Sequence, residues 1–219
     1  MRVLVIGANG KTGFRVVELL VGGDHEPVAM IRDPRQAERF EALGVGTVVA
    51  DLEQPLDPAL VGCEGVIFAA GSGSSTGPEK TLAVDRDGAV ASIAAVESAG
   101  IERYIMLSSM RADPASEGHA ISHYYRAKGV ADRHLARSDL DFSIVRPGRL
   151  SDEEGTGEID IAESLGRRGS ITRDDLARVL VRCLDEPRTI RRTFEVLNGR
   201  VPIDSALSSL GASGGGGHR

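Results

Sequence analysis

MRVLVIGANGKTGFRVVELLVGG, residues 1–23, divides into three parts. Val3, Leu4, Val5 and Ile6 form an unbroken apolar run, the composition of a strand covered on both faces in a parallel sheet. Val16, Leu19 and Leu20 recur at helical spacing, and Gly22-Gly23 stands where a left-handed residue would end the helix. Gly7, Gly10 and Gly13 occupy the corner between strand and helix. Glycine there lets a pyrophosphate approach the unpaired N–H groups of the first helical turn, where the helix dipole also favours negative charge. The spacing is G-x-x-G-x-x-G, and its place at a strand-to-helix corner marks a dinucleotide cradle.

Composition fits one large α/β domain over 1–210. The 219 residues are 41% hydrophobic, and the formal charge is −6. That balance offers no basic field for nucleic acid, and no apolar run is long enough to span a bilayer. Neither nucleic acid nor membrane is expected as a partner, and the chain reads as a monomer or homodimer acting on a small molecule. The N-terminus runs straight into the glycine turn without a basic leader, which predicts a cytoplasmic location. Cys63 and Cys183 lack the spacing of a disulfide framework or a metal site and read as small buried hydrophobes; no metal ligand set is assigned.

Strand-helix alternation continues beyond the cradle. Glu26–Ile31 reads as a second strand, followed by Arg32 and Asp33 where such a unit meets the adenosine ribose. Arg32 can fork onto the 2′-phosphate of NADP, whereas Asp33 could hold the ribose hydroxyls of NAD or cap a helix over 34–43. NADP is therefore the expected cofactor, with NAD the alternative. Strands are expected at 45–50 and 65–70. Asp51 and Leu52 follow the first of them, in reach of an adenine edge, and the second runs into a flexible hydroxyl-rich loop at 71–77. A single helix is predicted over 81–99, stopped by Gly100. The strand 104–107 ends in Ser108-Ser109, at the carboxyl edge where ligands sit.

A helix over 121–138 carries Tyr124 and Lys128 on one face, four residues apart. The lysine ammonium is expected to lower the phenol's pKa and so suit it to proton transfer with a carbonyl or alkoxide. Beyond it come a strand at 141–146 broken by Pro147-Gly148, an acidic loop at 151–157, and a short apolar segment around Ile159 and Ile161. Thr172-Arg173-Asp174-Asp175 resembles a capping box and opens another helix. A strand at 193–197 and a helix at 202–210 precede the glycine-rich tail 211–219, expected to be disordered.

The motifs GANGKTG (7–13), MIRDP (30–34), AAGSGS (69–74), YIMLSSM (104–110), YYRAK (124–128), SIVRPGRL (143–150) and SITRDDLARVLVRCL (170–184) together resemble the atypical short-chain dehydrogenase/reductase superfamily, in particular its small NmrA-like and flavin-reductase-like members. The resemblance implies a Rossmann-type doubly wound parallel sheet with a small C-terminal substrate lobe over about 148–210. It implies a cofactor set of Gly7, Asn9, Gly10, Lys11, Thr12, Gly13, Arg32, Asp51, Leu52, Ala70, Gly71, Ser72, Lys128 and Pro147. Tyr124 would be the acid/base, Lys128 would hold the nicotinamide ribose, and Ser108 or Ser109 would orient the substrate oxygen. Asp85 stands where many extended members carry a helix asparagine. The function implied is hydride transfer to or from a small carbonyl, quinone or flavin. The alternatives are a nucleotide-sugar epimerase or dehydratase and a non-catalytic NADP(H)-sensing module.

Overall fold

The computed structural model describes residues 1–73 and 76–211. In chain order the elements are β1 (Arg2–Ile6), α1 (Lys11–Val21), β2 (Glu26–Ile31), α2 (Glu38–Glu41), β3 (Gly46–Val49), α3 (Asp57–Leu60) and β4 (Gly65–Phe68). Next come α4 (Pro78–Thr81), α5 (Ala89–Ser98), β5 (Arg103–Leu107), α6 (Ser122–Leu135), β6 (Asp141–Pro147), β7 (Arg149–Ser151) and β8 (Glu158–Ala162). The described chain closes with β9 (Ser170–Thr172), α7 (Arg173–Arg182), β10 (Arg192–Asn198), β11 (Val201–Pro202) and α8 (Ile203–Ser208).

Nine strands form one sheet in the order β11-β8-β10-β6-β5-β4-β1-β2-β3. Strands β1 to β6 and β10 run parallel, while β8 is antiparallel to both β10 and β11. This is the expected Rossmann-type α/β fold. From β1 the chain proceeds outward through β2 and β3, then returns to build β4, β5 and β6 on the other side. The reversal leaves a crevice beyond the carboxyl ends of β1 and β4, the place where open α/β sheets bind ligands.

The unbroken apolar run of β1 is explained by what covers it. Val3 and Val5 face one layer with Val16, Val17, Leu20, Leu176 and Leu180, and Leu4 and Ile6 face the other with Phe68, Ile93, Val96 and Leu135. Successive strand residues point to opposite faces, so both sets must be apolar. Burial of each such side chain is worth roughly 1.5–3 kcal/mol.

Several local expectations are corrected. Gly22 ends α1 at φ −81°, in the right-handed region rather than the left-handed one. The helix expected at 34–43 splits into a 3-10 turn at Pro34–Gln36 and the short α2, with Asp33 as the cap accepting the Arg35 N–H at 2.9 Å. The helix expected at 81–99 begins at Pro78 and contains a π-helical segment, Leu82–Gly88, between α4 and α5. The apolar segment around Ile159 and Ile161 is a strand, β8, paired edge to edge with β10. α3 and the small β7-β9 pair were not anticipated. The disorder expected of the tail concerns 211–219, of which 212–219 lie outside the described residues.

Candidate active site

The glycine turn is built by close approach. Gly7 has φ +83°, and a Cβ there would lie 2.6 Å from the Ala70 backbone in the loop after β4. A Cβ on Gly13 would lie 2.2 Å from the Gly7 carbonyl oxygen. Gly10 is the N-cap of α1 and provides no side chain, and the N–H groups of Lys11, Thr12 and Gly13 have no hydrogen-bond partner among the described residues. Free amides at the start of an eleven-residue helix, under a turn too tight for side chains, fit a dinucleotide pyrophosphate.

A cleft of about 330 Å³ opens over this turn. Gly7, Asn9 and Gly10 form its floor, Arg32, Asp51 and Leu52 one wall, and Ala70, Gly71 and Ser72 the other. Nine residues expected to meet a cofactor thus share one cavity. The exposed Arg32 lies at its rim, with its backbone N–H donating to Gln36 Oε1 at 3.2 Å. Asp33 is occupied by the Arg35 guanidinium, which holds its carboxyl below the usual range. Lys11, Thr12, Gly13, Pro147 and Lys128 are off the walls of this cavity. Lys11 turns instead to Asp152 at 2.6 Å, and Pro147, at the end of β6, accepts the Met110 N–H at 3.0 Å.

Beyond the cleft, α6 brings Tyr124 and Lys128 against the ends of β4 and β5. The Lys128 ammonium is buried, 4% exposed, and lies 5.9 Å from the Tyr124 ring centre. It donates to the Ala70 carbonyl at 3.3 Å and the Leu107 carbonyl at 3.2 Å, and pairs with Asp85 Oδ1 at 3.1 Å. Burial works to discharge the ammonium, but Asp85, Tyr124 and Asp132 outweigh it and raise its pKa. Lys128 is a charged, fully partnered lysine.

Two expectations change here. Burial raises the Tyr124 pKa above its ordinary value; Lys128 and the Ser109 hydroxyl pull the other way, while Asp85 and Asp132 add to the rise. The neighbouring ammonium therefore does not produce the lowered phenol anticipated, because burial of the phenol outweighs its pull and the Asp85 charge adds to the rise. The two serines also separate. Ser108 is buried and donates to Asp132 Oδ2 at 2.8 Å, whereas half-buried Ser109 is the one beside the Tyr124 hydroxyl.

Sequence reasoning missed three residues. Asp132, one turn beyond Lys128 on α6, is buried and accepts from Ser108 and from Arg146 Nε, each at 2.8 Å. Burial raises its pKa against the pull of Arg146. Asp85 was noted only as a departure from the family pattern; with Arg86 and Asp87 directly after it, no local signal sets it apart from a solvated helix face. Arg39 stacks 3.5 Å over the Phe14 ring and donates to Asn9 Oδ1 at 2.8 Å, with no sequence cue beyond charge. Both cysteines are buried, and burial pushes their thiols up, that of Cys183 to about 12, which leaves neither as a nucleophile at neutral pH.

The family model described as NAD(P)H-binding matches residues 7–187. An uncharacterized sugar epimerase, YhfK of Bacillus subtilis, is 44% identical over 96% of this chain and 100% of its own length. A Bacillus halodurans structure provisionally named an NAD-dependent epimerase/dehydratase has a TM-score of 0.92 at 44% identity, over 96% of this chain and 100% of that one. The oxidoreductase ylbE of Lactococcus lactis has a TM-score of 0.87 at 29% identity, each chain covered in full.

Proposed function

Because the chain belongs to the NAD(P)H-binding family of atypical short-chain dehydrogenase/reductase type, we propose that it is an NADP(H)-dependent reductase of a small carbonyl, quinone or flavin. The observation that carries this reading is the common location of two sets of residues at the carboxyl edge of the sheet. One is the glycine cradle with its free amides. The other is Ser109, Tyr124 and Lys128, in which the tyrosine is held as a neutral phenol.

Gly7, Gly10 and the α1 amides would hold the pyrophosphate, Asp51 and Leu52 would flank the adenine, and Ser72 and Lys128 would adjoin the nicotinamide side. A bound nicotinamide would supply the hydride. Arg32 selects NADP, since its exposed guanidinium stands at the cleft rim while Asp33, its competitor for the ribose, is taken up by Arg35. Ser109 orients the substrate oxygen, and Tyr124 donates a proton to it. A phenol with a raised pKa carries its proton at neutral pH and is present as the acid rather than as the base, which favours reduction over the deprotonation that starts an epimerisation.

A second reading, a cofactor-binding module without turnover, is favoured by Lys128, whose ammonium already faces two carbonyls and Asp85. An NADPH-oxidation screen over quinones, flavins, aldehydes and nucleotide sugars, with cofactor titration in parallel, decides between them. Turnover that survives intact in Tyr124→Phe removes the tyrosine from the mechanism. Tight cofactor binding without turnover on any substrate supports the module.

A further inference from the structure

Asp85 lies in the middle of the π-helical segment, and its carboxylate is completely buried. One oxygen, Oδ2, accepts the Ser72 N–H at 2.9 Å, in the loop that walls the cleft. The other, Oδ1, accepts no well-directed hydrogen bond and is compensated by the Lys128 ammonium 3.1 Å away. A buried carboxylate is costly unless its charge is answered, and here the answer comes from the residue that flanks Tyr124. π-Segments inside helices occur frequently at functional sites, and this one holds Asp85 between the cofactor loop and α6.

We propose that Asp85 is a positioning residue: it ties Lys128 of α6 to the Ser72 loop and balances the lysine charge beside Tyr124, so that the tyrosine serves as a proton donor. The inference rests on the role given to Tyr124 in the proposed function. Groups from several elements set the charge balance at this tyrosine, whose ring also lies 5.8 Å from that of Tyr125. Lys128 and Asp132 lie on its own helix, Asp85 comes from the π-segment, Ser109 from the end of β5, and Arg146 of β6 neutralises Asp132. Without Asp85 the ammonium would lack its counter-ion, and the Tyr124 phenolate would become the substitute.

The test is a tyrosinate absorbance titration of the full chain, with Tyr124→Phe identifying the Tyr124 step and Tyr125→Phe removing its neighbour. In Asp85→Asn, which retains an oxygen for the Ser72 N–H, the Tyr124 step should move down by about one pH unit or more. The Asp85→Glu variant should restore it at least in part. An unmoved or raised step in folded Asp85→Asn overturns the inference. If Asp85→Asn does not fold, Lys128→Met alone should raise the step and Asp85→Asn/Lys128→Met should return it towards the parent; identical positions in those two variants also overturn it. No substrate is needed, so this result is independent of turnover: full activity in Tyr124→Phe defeats the functional reading, whereas an unmoved step defeats the role of Asp85.

Discussion

Individual glycines of the cradle do different work, and substitution separates them. At Gly10 a Cβ would meet only the Gly7 carbonyl oxygen, at 3.2 Å, and the backbone angles suit any residue. At Gly13 the same atom would lie 2.2 Å from that oxygen, inside the turn itself. Gly10→Val should therefore fold while its NADPH affinity drops at least about tenfold, because the side chain fills space above the amides. Gly13→Ala should lower the unfolding free energy by an amount typical of overpacking, roughly 1–3 kcal/mol, seen as an earlier denaturation midpoint. Calorimetric titration and denaturant unfolding of both variants check the contrast; equal behaviour would refute it. Arg32 supports a second prediction. A charge-assisted contact is worth about 1.5–3 kcal/mol, so the parent should prefer NADPH over NADH by roughly tenfold to a hundredfold, less at high salt. Arg32→Ala should remove most of that preference and leave NADH affinity little changed. Equal affinities in the parent would return the ribose to Asp33.

At the scale of elements, α7 illustrates a helix start that also secures a loop. Thr172 accepts the Asp175 N–H at 3.0 Å, and the Asp175 carboxylate accepts the Thr156 and Gly157 N–H groups, both at 2.8 Å. Only the first half of the capping box predicted from Thr172 and Asp175 forms: the Thr172 N–H donates instead to Asn198 Oδ1 at 3.1 Å, which leaves the Asp175 carboxylate for the loop it was not expected to touch. Thr172→Ala should cost about 1–2 kcal/mol with an unchanged denaturant slope, as measured by equilibrium unfolding. The helix at 78–98 illustrates the opposite case. Its apolar spacing marks a helix, but a period of 3.6 residues carries no signature of an inserted π-turn, so the inward placement of Asp85 was not legible. The same limit applies to β8, whose five residues were too few to tell strand from buried helix until β10 paired with it.

At the scale of the whole molecule, ion pairs link α1 to the C-terminal segments. Lys11 and Arg173 both reach Asp152, at 2.6 and 2.7 Å, and Arg15 reaches Asp174 at 2.5 Å. Lys11, chiefly, holds the Asp152 carboxyl below its ordinary value. A folded-state pKa below the unfolded one contributes stability that is present above the unfolded value and lost as pH falls through the folded one. Acidification below the ordinary aspartate range should therefore narrow the difference in melting temperature between the parent and Asp152→Asn, and salt should shrink that difference at neutral pH, as thermal melts at several pH values would show. The sequence by itself determined the alternation of strands and helices, the sheet buried on both faces, the glycine cradle and the cofactor-side cleft residues. These depend on local periodicity, turn chemistry and motif spacing, which are written along the chain. Only the tertiary structure decided that Ser109, and not Ser108, meets Tyr124, that Asp85 answers Lys128, and that the tyrosine is held as a phenol. Those outcomes depend on desolvation and on charges brought together from separate elements, and neither is a property of any one stretch of sequence.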